Sequence, residues 1–252
     1  MDGWSVKELM VVALARELRD GDLAMTGATS DVPVAACLLA QQLHAPNLTL
    51  ILPSGVVNPR PGRLYRSASD GRWIDGAEAV GSGYDLFELS ENGRLDVMFY
   101  GGVQIDRFGN INLTRVGDFR GPGLANISFA VVAKRICLYS MSHTRRTFVK
   151  DVDYLTAPGH LEGGISRRQA GITTEGPVFC ITPLACMGFT PDTKELTVRS
   201  VHPGVTASTV ETQTGFDLPE PPPWPETPPP TDEELTALRE VVDRTGVLRD
   251  RT

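Results

Sequence analysis

Apolar residues recur at helical spacing near the N-terminus, where Leu9, Val12 and Ala13, with Arg16 on the same period, predict an amphipathic helix. Ser5 and Glu8 stand at capping-box spacing ahead of it. The flanks are wrong for a secretory leader. No basic region precedes the run, and Arg16, Glu17 and Arg19 follow where a small-residue cleavage site belongs. Gly21-Asp22 ends the helix, LAMTG reads as a short buried strand, Pro33 opens a second helix, VAACLLAQQLHA, and Pro46-Asn47 breaks it before a second strand, LTLIL. Apolar strands without strict alternation, joined through a helix, belong to a sheet covered on both faces. Further apolar runs at RLDVMFYGG, FAVVAKRICLYS and PVFCITPLACMGF extend the pattern. The expected fold is therefore α/β, an open layered sheet with helices on both faces. No stretch reaches the roughly 18 apolar residues of a membrane span, so the expected location is the cytoplasm, with no membrane partner.

Residues 219–230 hold 8 of the 19 prolines and predict a stiff extended spacer. Thr231 then caps a final helix with acidic residues in its first turn and Gly246 near its end. The expected organisation is one domain over 1–218, a proline-rich spacer over 219–230 and a C-terminal helix within 231–252. That helix either decorates its own chain or packs on another one.

With 41% hydrophobic and 22% charged residues, the 252-residue chain can bury a sizeable core. Its 24 Lys+Arg against 31 Asp+Glu leave a net charge of −7, with no basic stripe to meet nucleic-acid phosphates. Cys37, Cys137, Cys180 and Cys186 lie in apolar runs, with neither a CxxC pair nor a histidine at zinc-ligand spacing. They are expected to be buried, reduced thiols, and no metal is expected.

Four segments are candidates for chemistry. TGATSD at 26–31 is a glycine turn between a strand and a helix, where backbone N–H groups can meet an anion and Asp31 can cap the helix. LPSGVVN at 52–58 lies at the carboxyl edge of a strand, where open α/β sheets bind ligands. SENG at 90–93 offers Glu91, in a segment that otherwise reads as a loop with a solvated acid. GGVQIDRFGNIN at 101–112, with GPGLAN at 121–126, allows close backbone approach and an oxyanion hole.

Three stretches, GGVQIDRFGNIN, HTRRTFVKDVDYLTAPGHL at 143–161 and HPGVTASTVETQTGFDL at 202–218, together resemble the β subunits of family I CoA transferases, above all the glutaconate type. The likeness runs over nearly the whole chain to about residue 218. It implies a partner, an α subunit of similar fold, usually in an α2β2 heterotetramer, and an acyl-CoA substrate at a shared active site. No cofactor is implied, because coenzyme A is part of the substrate.

In that family a β-subunit glutamate attacks the acyl-CoA carbonyl and becomes the thioester carrier. It follows a proline-initiated helix and the next strand, so its counterpart here is Pro53 rather than Glu91. The resemblance thus implies no catalytic nucleophile in this chain. An offshoot of the family, bacterial hydrolases that open the last steroid ring in cholesterol catabolism, draws its working glutamate from the α subunit, where it acts as a base. The substitution at Pro53 fits that mechanism, a hydrolytic retro-Claisen cleavage of a cyclic β-keto acyl-CoA.

The resemblance also assigns an oxyanion and substrate pocket. The turn Gly121-Pro122-Gly123-Leu124-Ala125-Asn126 matches a G-x-G-G-A turn, with Leu124 departing from the family glycine; Gly123, Leu124, Ala125 and Asn126 of it, with Thr26, Gly27, Pro53, Ser54 and Gly55, make up the set. His143, Arg145 and Arg146 match a family segment. They either contact the coenzyme A phosphates, with His143 and Arg146 as the candidates, or play a structural part. Two other functions stay open: a CoA transferase in which Glu91 or a rearranged loop restores the thioester route, and a non-catalytic scaffold subunit.

Overall fold

The computed structural model describes residues 3–123 and 127–249, and the chain divides into two compact units, 1–99 with 229–252, and 100–228. The domain expected over 1–218 is therefore divided near residue 100, and the C-terminal segment belongs to the first unit.

In the first unit, α1 (Val6–Ala15) starts with the expected capping box: Ser5 Oγ accepts from the Glu8 N–H, and the Glu8 carboxylate accepts from the Ser5 N–H at 2.8 Å. The helix is not amphipathic in its setting. Glu8 through Ala15 are all buried, because a second helix and the C-terminal segment both pack against it. After β1 (Leu23–Met25), α2 (Asp31–Leu43) begins two residues before Pro33, whose missing N–H falls in the first turn, where no intrahelical bond is lost. Asp31 is thus the first helical residue rather than the cap. Ser30 holds the cap position, and Lys7 Nζ lies 4.0 Å from the Asp31 carboxylate.

The unit continues through β2 (Thr49–Ile51), β3 (Val56–Val57), β4 (Ala79–Val80), α3 (Gly83–Glu91) and β5 (Val97–Tyr100). Strand β1 lies in the middle, parallel to β2 with Met25 opposite Ile51 and parallel to β5 with Met25 opposite Met98. Strands β3 and β4 add on antiparallel. Such parallel strands are the buried, unalternated runs that the sequence shows.

The second unit runs through β6 (Gln104–Asp106), β7 (Ile111–Asn112), β8 (Arg115–Val116), β9 (Phe119–Arg120), α4 (Phe129–Val132), β10 (Arg135–Tyr139), β11 (Phe148–Val149), α5 (Ser166–Gln169), β12 (Gly176–Ile181), β13 (Ala185–Phe189), β14 (Leu196–Val201) and α6 (Ala207–Gln213). Strand β10 is parallel to β12, while β12, β13 and β14 form an antiparallel meander. Two runs that read as single strands are each two elements. FAVV coils into α4 ahead of β10. PVFCITPLACMGF folds back at Thr182, whose Oγ1 accepts from the N–H groups of Leu184 and Ala185 at 3.2 and 3.1 Å.

The proline-rich stretch does not stand off from the protein. The Val201 N–H donates to Pro225 O at 2.9 Å and the Thr227 N–H to Val201 O at 2.8 Å, so Glu226 bridges the edge of β14. The chain then re-enters the first unit with α7 (Asp232–Ala237), capped by Thr231 and Glu234 in a second capping box and extended by one π-helical turn over Leu238–Val242. This segment closes on α1 of its own chain. Arg16 makes a two-pronged pair with Glu234 at 2.8 and 2.7 Å, Arg239 makes another with Glu8 at 2.7 and 2.9 Å, and Ser5 Oγ donates to Leu248 O at 2.9 Å. Burial opposes the Glu8 charge, but Arg239 and the Ser5 N–H outweigh it and hold the carboxyl below its usual range. Removing Arg239 strands a carboxylate that is 1% exposed. Arg239→Ala is therefore expected to lower unfolding stability by about 2 kcal/mol, read as a drop in urea midpoint at unchanged m-value. Among the described residues, no helix is long and apolar enough to cross a membrane.

Candidate functional site

The residues singled out by sequence fall into two groups, one in each unit. In the first, strands β2 and β3 form a hairpin closed by Leu52 N–H to Val56 O and Gly55 N–H to Leu52 O, both at 2.9 Å. Pro53, Ser54 and Gly55 are its three loop residues. Proline suits the start of such a turn, and Gly55 takes the left-handed conformation at φ 83°, which suits glycine. A Cβ at Gly55 would strike the carbonyl of Gly81, whose own N–H donates to Gly55 O at 2.9 Å. The hairpin is thus locked in place. It presents a half-buried proline and an exposed serine, and no carboxylate, at its tip.

The loop after β1 is fixed just as firmly. The Thr26 N–H donates to Ile51 O at 3.4 Å, and Ala28 O accepts from Ala68 N–H at 2.8 Å and Ser67 Oγ at 3.1 Å. Ser67 is held by the buried indole of Trp73, which donates to Ser67 O at 2.8 Å. Thr26 is 1% exposed. Its Oγ1 and Arg107 Nε are the buried side-chain polar atoms without a hydrogen-bond partner among the described residues, a state that native proteins seldom tolerate without a reason. Gly27, beside it, is half-buried. Glu91 is not in a loop. It is the exposed last residue of α3, with Asn92 as C-cap and Gly93 at φ 70° ending the helix.

In the second unit, the polar letters of GGVQIDRFGNIN are buried scaffold. Asp106 accepts from the N–H groups of Phe108 and Asn110 and from Asn110 Nδ2, each at 2.9 Å. Burial pushes its carboxyl up to about 6 against the lowering effect of those bonds. Asn110 Oδ1 in turn accepts from Gly159 N–H at 2.8 Å and Leu161 N–H at 3.0 Å, while Gln104 Oε1 accepts from Asn112 Nδ2 at 2.8 Å and Asp153 N–H at 3.0 Å. These side chains tie the strands to the loop DYLTAPGHL. The sequence signal was available: polar residues alternating inside an apolar strand require buried partners.

The glycine turn hangs from the same framework. The Gly121 N–H donates to Thr114 O at 2.8 Å and the Gly123 N–H, at φ 68°, to Leu113 O at 2.9 Å. Both N–H groups therefore hold the turn in place rather than offering themselves to an oxyanion. Leu124, Ala125 and Asn126 lie outside the described residues.

Arg167, which sequence reasoning passed over, anchors the region from behind. It is 4% exposed and donates to the carbonyls of Pro158, Gly159, Ala130 and Thr174 at 2.7 to 3.2 Å and to Thr174 Oγ1 at 2.8 Å.

His143 is also interior. Its Nδ1 lies 2.8 Å from Thr182 Oγ1 and its Nε2 3.1 Å from Thr214 Oγ1, and its ring packs on Phe148 with centroids 4.4 Å apart. Thr182 Oγ1 already accepts two N–H groups, and Thr214 Oγ1 donates to Val210 O at 2.7 Å. Burial lowers its pKa to about 4, which keeps the ring neutral at neutral pH. Of the two readings of this segment, the geometry of His143 matches the structural one. Arg145 and Arg146 are exposed. All four cysteines are buried and free, and burial pushes the Cys180 thiol up, as expected for packing groups rather than nucleophiles.

Comparison with known proteins identifies the family. The model of the coenzyme A transferase family matches residues 7–213. A 3-oxoadipate CoA-transferase subunit of Pseudomonas knackmussii is 36% identical, over 98% of this chain and 96% of the relative. The IpdB subunit of the cholesterol ring-cleaving hydrolase of Mycobacterium bovis is 25% identical, over 97% of this chain and 96% of the relative. The solved structure of the decarboxylase AibA/AibB superposes with a TM-score of 0.84 at 25% identity, covering 97% of each chain.

Proposed function

Because the chain belongs to the coenzyme A transferase family, we propose that it is the β-type subunit of a two-chain enzyme acting on an acyl-CoA thioester, with no covalent glutamyl intermediate on this chain. The reaction is hydrolytic opening of a cyclic β-keto acyl-CoA in steroid ring catabolism. An α subunit supplies the carboxylate base. The observation that carries this reading is the hairpin tip: where the transferase relatives implied by the sequence place a nucleophilic glutamate, a locked turn presents Pro53 and Ser54. Similarity over the full length to IpdB, a ring-cleaving hydrolase subunit, supports it.

In this mechanism the partner's carboxylate takes a proton from water, which adds to the ring ketone. The C–C bond then breaks, leaving a carboxylic acid and a thioester enolate that is protonated at carbon. Negative charge gathers on the thioester oxygen, so preorganised donors matter more than a nucleophile. The Gly121 and Gly123 N–H groups are engaged in holding their own turn, so this duty falls to other donors, and the unpartnered hydroxyl of Thr26 is one candidate.

A second reading, transfer of CoA between carboxylic acids, is favoured by the higher identity to the 3-oxoadipate transferase subunit. The two differ in one intermediate. When the two-chain complex is incubated with acyl-CoA and examined by intact mass, this chain is expected to remain unmodified. A trapped CoA or acyl adduct on a carboxylate of this chain would overturn the hydrolase reading.

A further inference from the structure

The β8–β9 hairpin sets two arginines directly against each other. Arg115 and Arg120 are register partners in antiparallel strands, so their side chains leave the same face, and both are exposed. Their guanidinium groups converge on one acceptor, the Gly117 carbonyl oxygen, which lies 3.4 Å from Arg115 Nε and 3.1 Å from Arg120 Nη1. Like charges directly opposite on a two-stranded ribbon weaken it. Other arginines of this chain, such as Arg16, Arg72 and Arg239, meet carboxylates. Asp118 sits at the tip between these two, yet no ion pair within 4.0 Å involves either arginine among the described residues. The chain as a whole is net negative. The hairpin thus carries a doubly cationic notch on a net-negative chain.

The hairpin is also part of the glycine-turn framework. Asn112 Nδ2 donates to Arg115 O at 2.6 Å, while Asn112 Oδ1 accepts from the N–H groups of Thr114 and Arg115 at 3.0 and 3.1 Å. Leu113 and Thr114, just before β8, receive the Gly121 and Gly123 N–H groups just after β9. Two residues separate Arg120 from Gly123, whose Cα atoms are at most about 11 Å apart. A long ligand with an acyl thioester at the turn thus has a cationic notch within reach of its other end.

We propose that Arg115 and Arg120 form a phosphate clamp for the nucleotide end of the acyl-CoA substrate. Two planar guanidinium groups on one face can each give paired N–H donors to phosphate oxygens, which a carbonyl partner alone does not exhaust. On the opposite face of the ribbon, the Phe119 ring lies toward Gly121 and leaves the phosphate side to the arginines. This inference rests on the acyl-CoA reading above, and its test separates the two.

The full-length chain, in complex with its α-type partner, is titrated with coenzyme A and separately with pantetheine, which lacks the phosphates, for wild type and for R115Q/R120Q. The expected result is a Kd for coenzyme A raised roughly tenfold or more, with pantetheine binding unchanged and the complex eluting intact on size exclusion. Equal coenzyme A affinity in wild type and variant overturns the clamp and leaves the acyl-CoA reading standing. Wild-type complex that binds no coenzyme A overturns both. Loss of assembly in the variant marks the arginines as contacts to partner carboxylates and overturns the clamp, as does equal weakening toward pantetheine.

Discussion

Arg167→Met is expected to destabilise the protein by about 3–5 kcal/mol, seen as a large drop in denaturant midpoint. The guanidinium spreads its five hydrogen bonds over three separate stretches: Pro158 and Gly159 in the loop ahead of α5, Thr174 ahead of β12, and Ala130 in α4. Methionine approximates the length and apolar stem but leaves four carbonyl oxygens short of a donor, at roughly 1–3 kcal/mol for each one that water cannot reach. Part of that loss is offset, because an arginine buried without a carboxylate is itself costly. That cost shows in its pKa, which burial lowers to about 10. Lysine keeps a charge but has a single nitrogen, so Arg167→Lys should recover only a minority of the stability. Near-wild-type stability of the methionine variant would show that these carbonyls find other donors.

Acid is expected to weaken the fold from about pH 6.5 downward, before its ordinary carboxylates titrate. His143 and His160 are 6% and 4% exposed, and burial lowers both to about 4; His202 is lowered by burial as well. A histidine whose folded pKa lies below its unfolded value of about 6.5 favours the unfolded state as pH falls through that gap. Each of the first two withdraws on the order of 3 kcal/mol between pH 6.5 and 4. Asp106 acts with the opposite sign. Its folded pKa, raised to about 6, makes the folded state the better proton acceptor between pH 6 and 4, which returns roughly what one histidine removes. The net expectation is a fall in urea midpoint of several kcal/mol equivalent between pH 7 and pH 4.5. A flat profile across that interval would contradict the neutral, fully bonded state of His143.

Much of this organisation was legible in the chain itself, and the misses have physical causes. The strand–helix–strand start, the helix caps at Ser5 and Thr231, and the buried thiols follow from local spacing and side-chain chemistry. Local spacing could not reveal that α1 is covered on nearly every side, because the covering groups, Arg239 and Leu248, lie more than 230 residues away. The helix end at Glu91 was hidden by Asn92-Gly93, a pair that serves equally as a loop turn and as a helix C-cap. On the site side, Pro53 was singled out through the family resemblance, which implies a glutamate at that position. Arg167 was not, since an arginine in a polar segment looks solvated until the carbonyls around it are known.

The clasp of the C-terminal segment on α1 also constrains how the chain comes to be made. The first unit needs residues from both ends, whereas residues 100–228 are continuous. During synthesis, the second unit has all its parts once residue 228 has left the ribosome. The first must wait, its apolar α1 only half covered, until Leu248 arrives to meet Ser5. The unit that residues 5–15 begin is thus closed only by residues 229–249, which are made after the whole of the second unit.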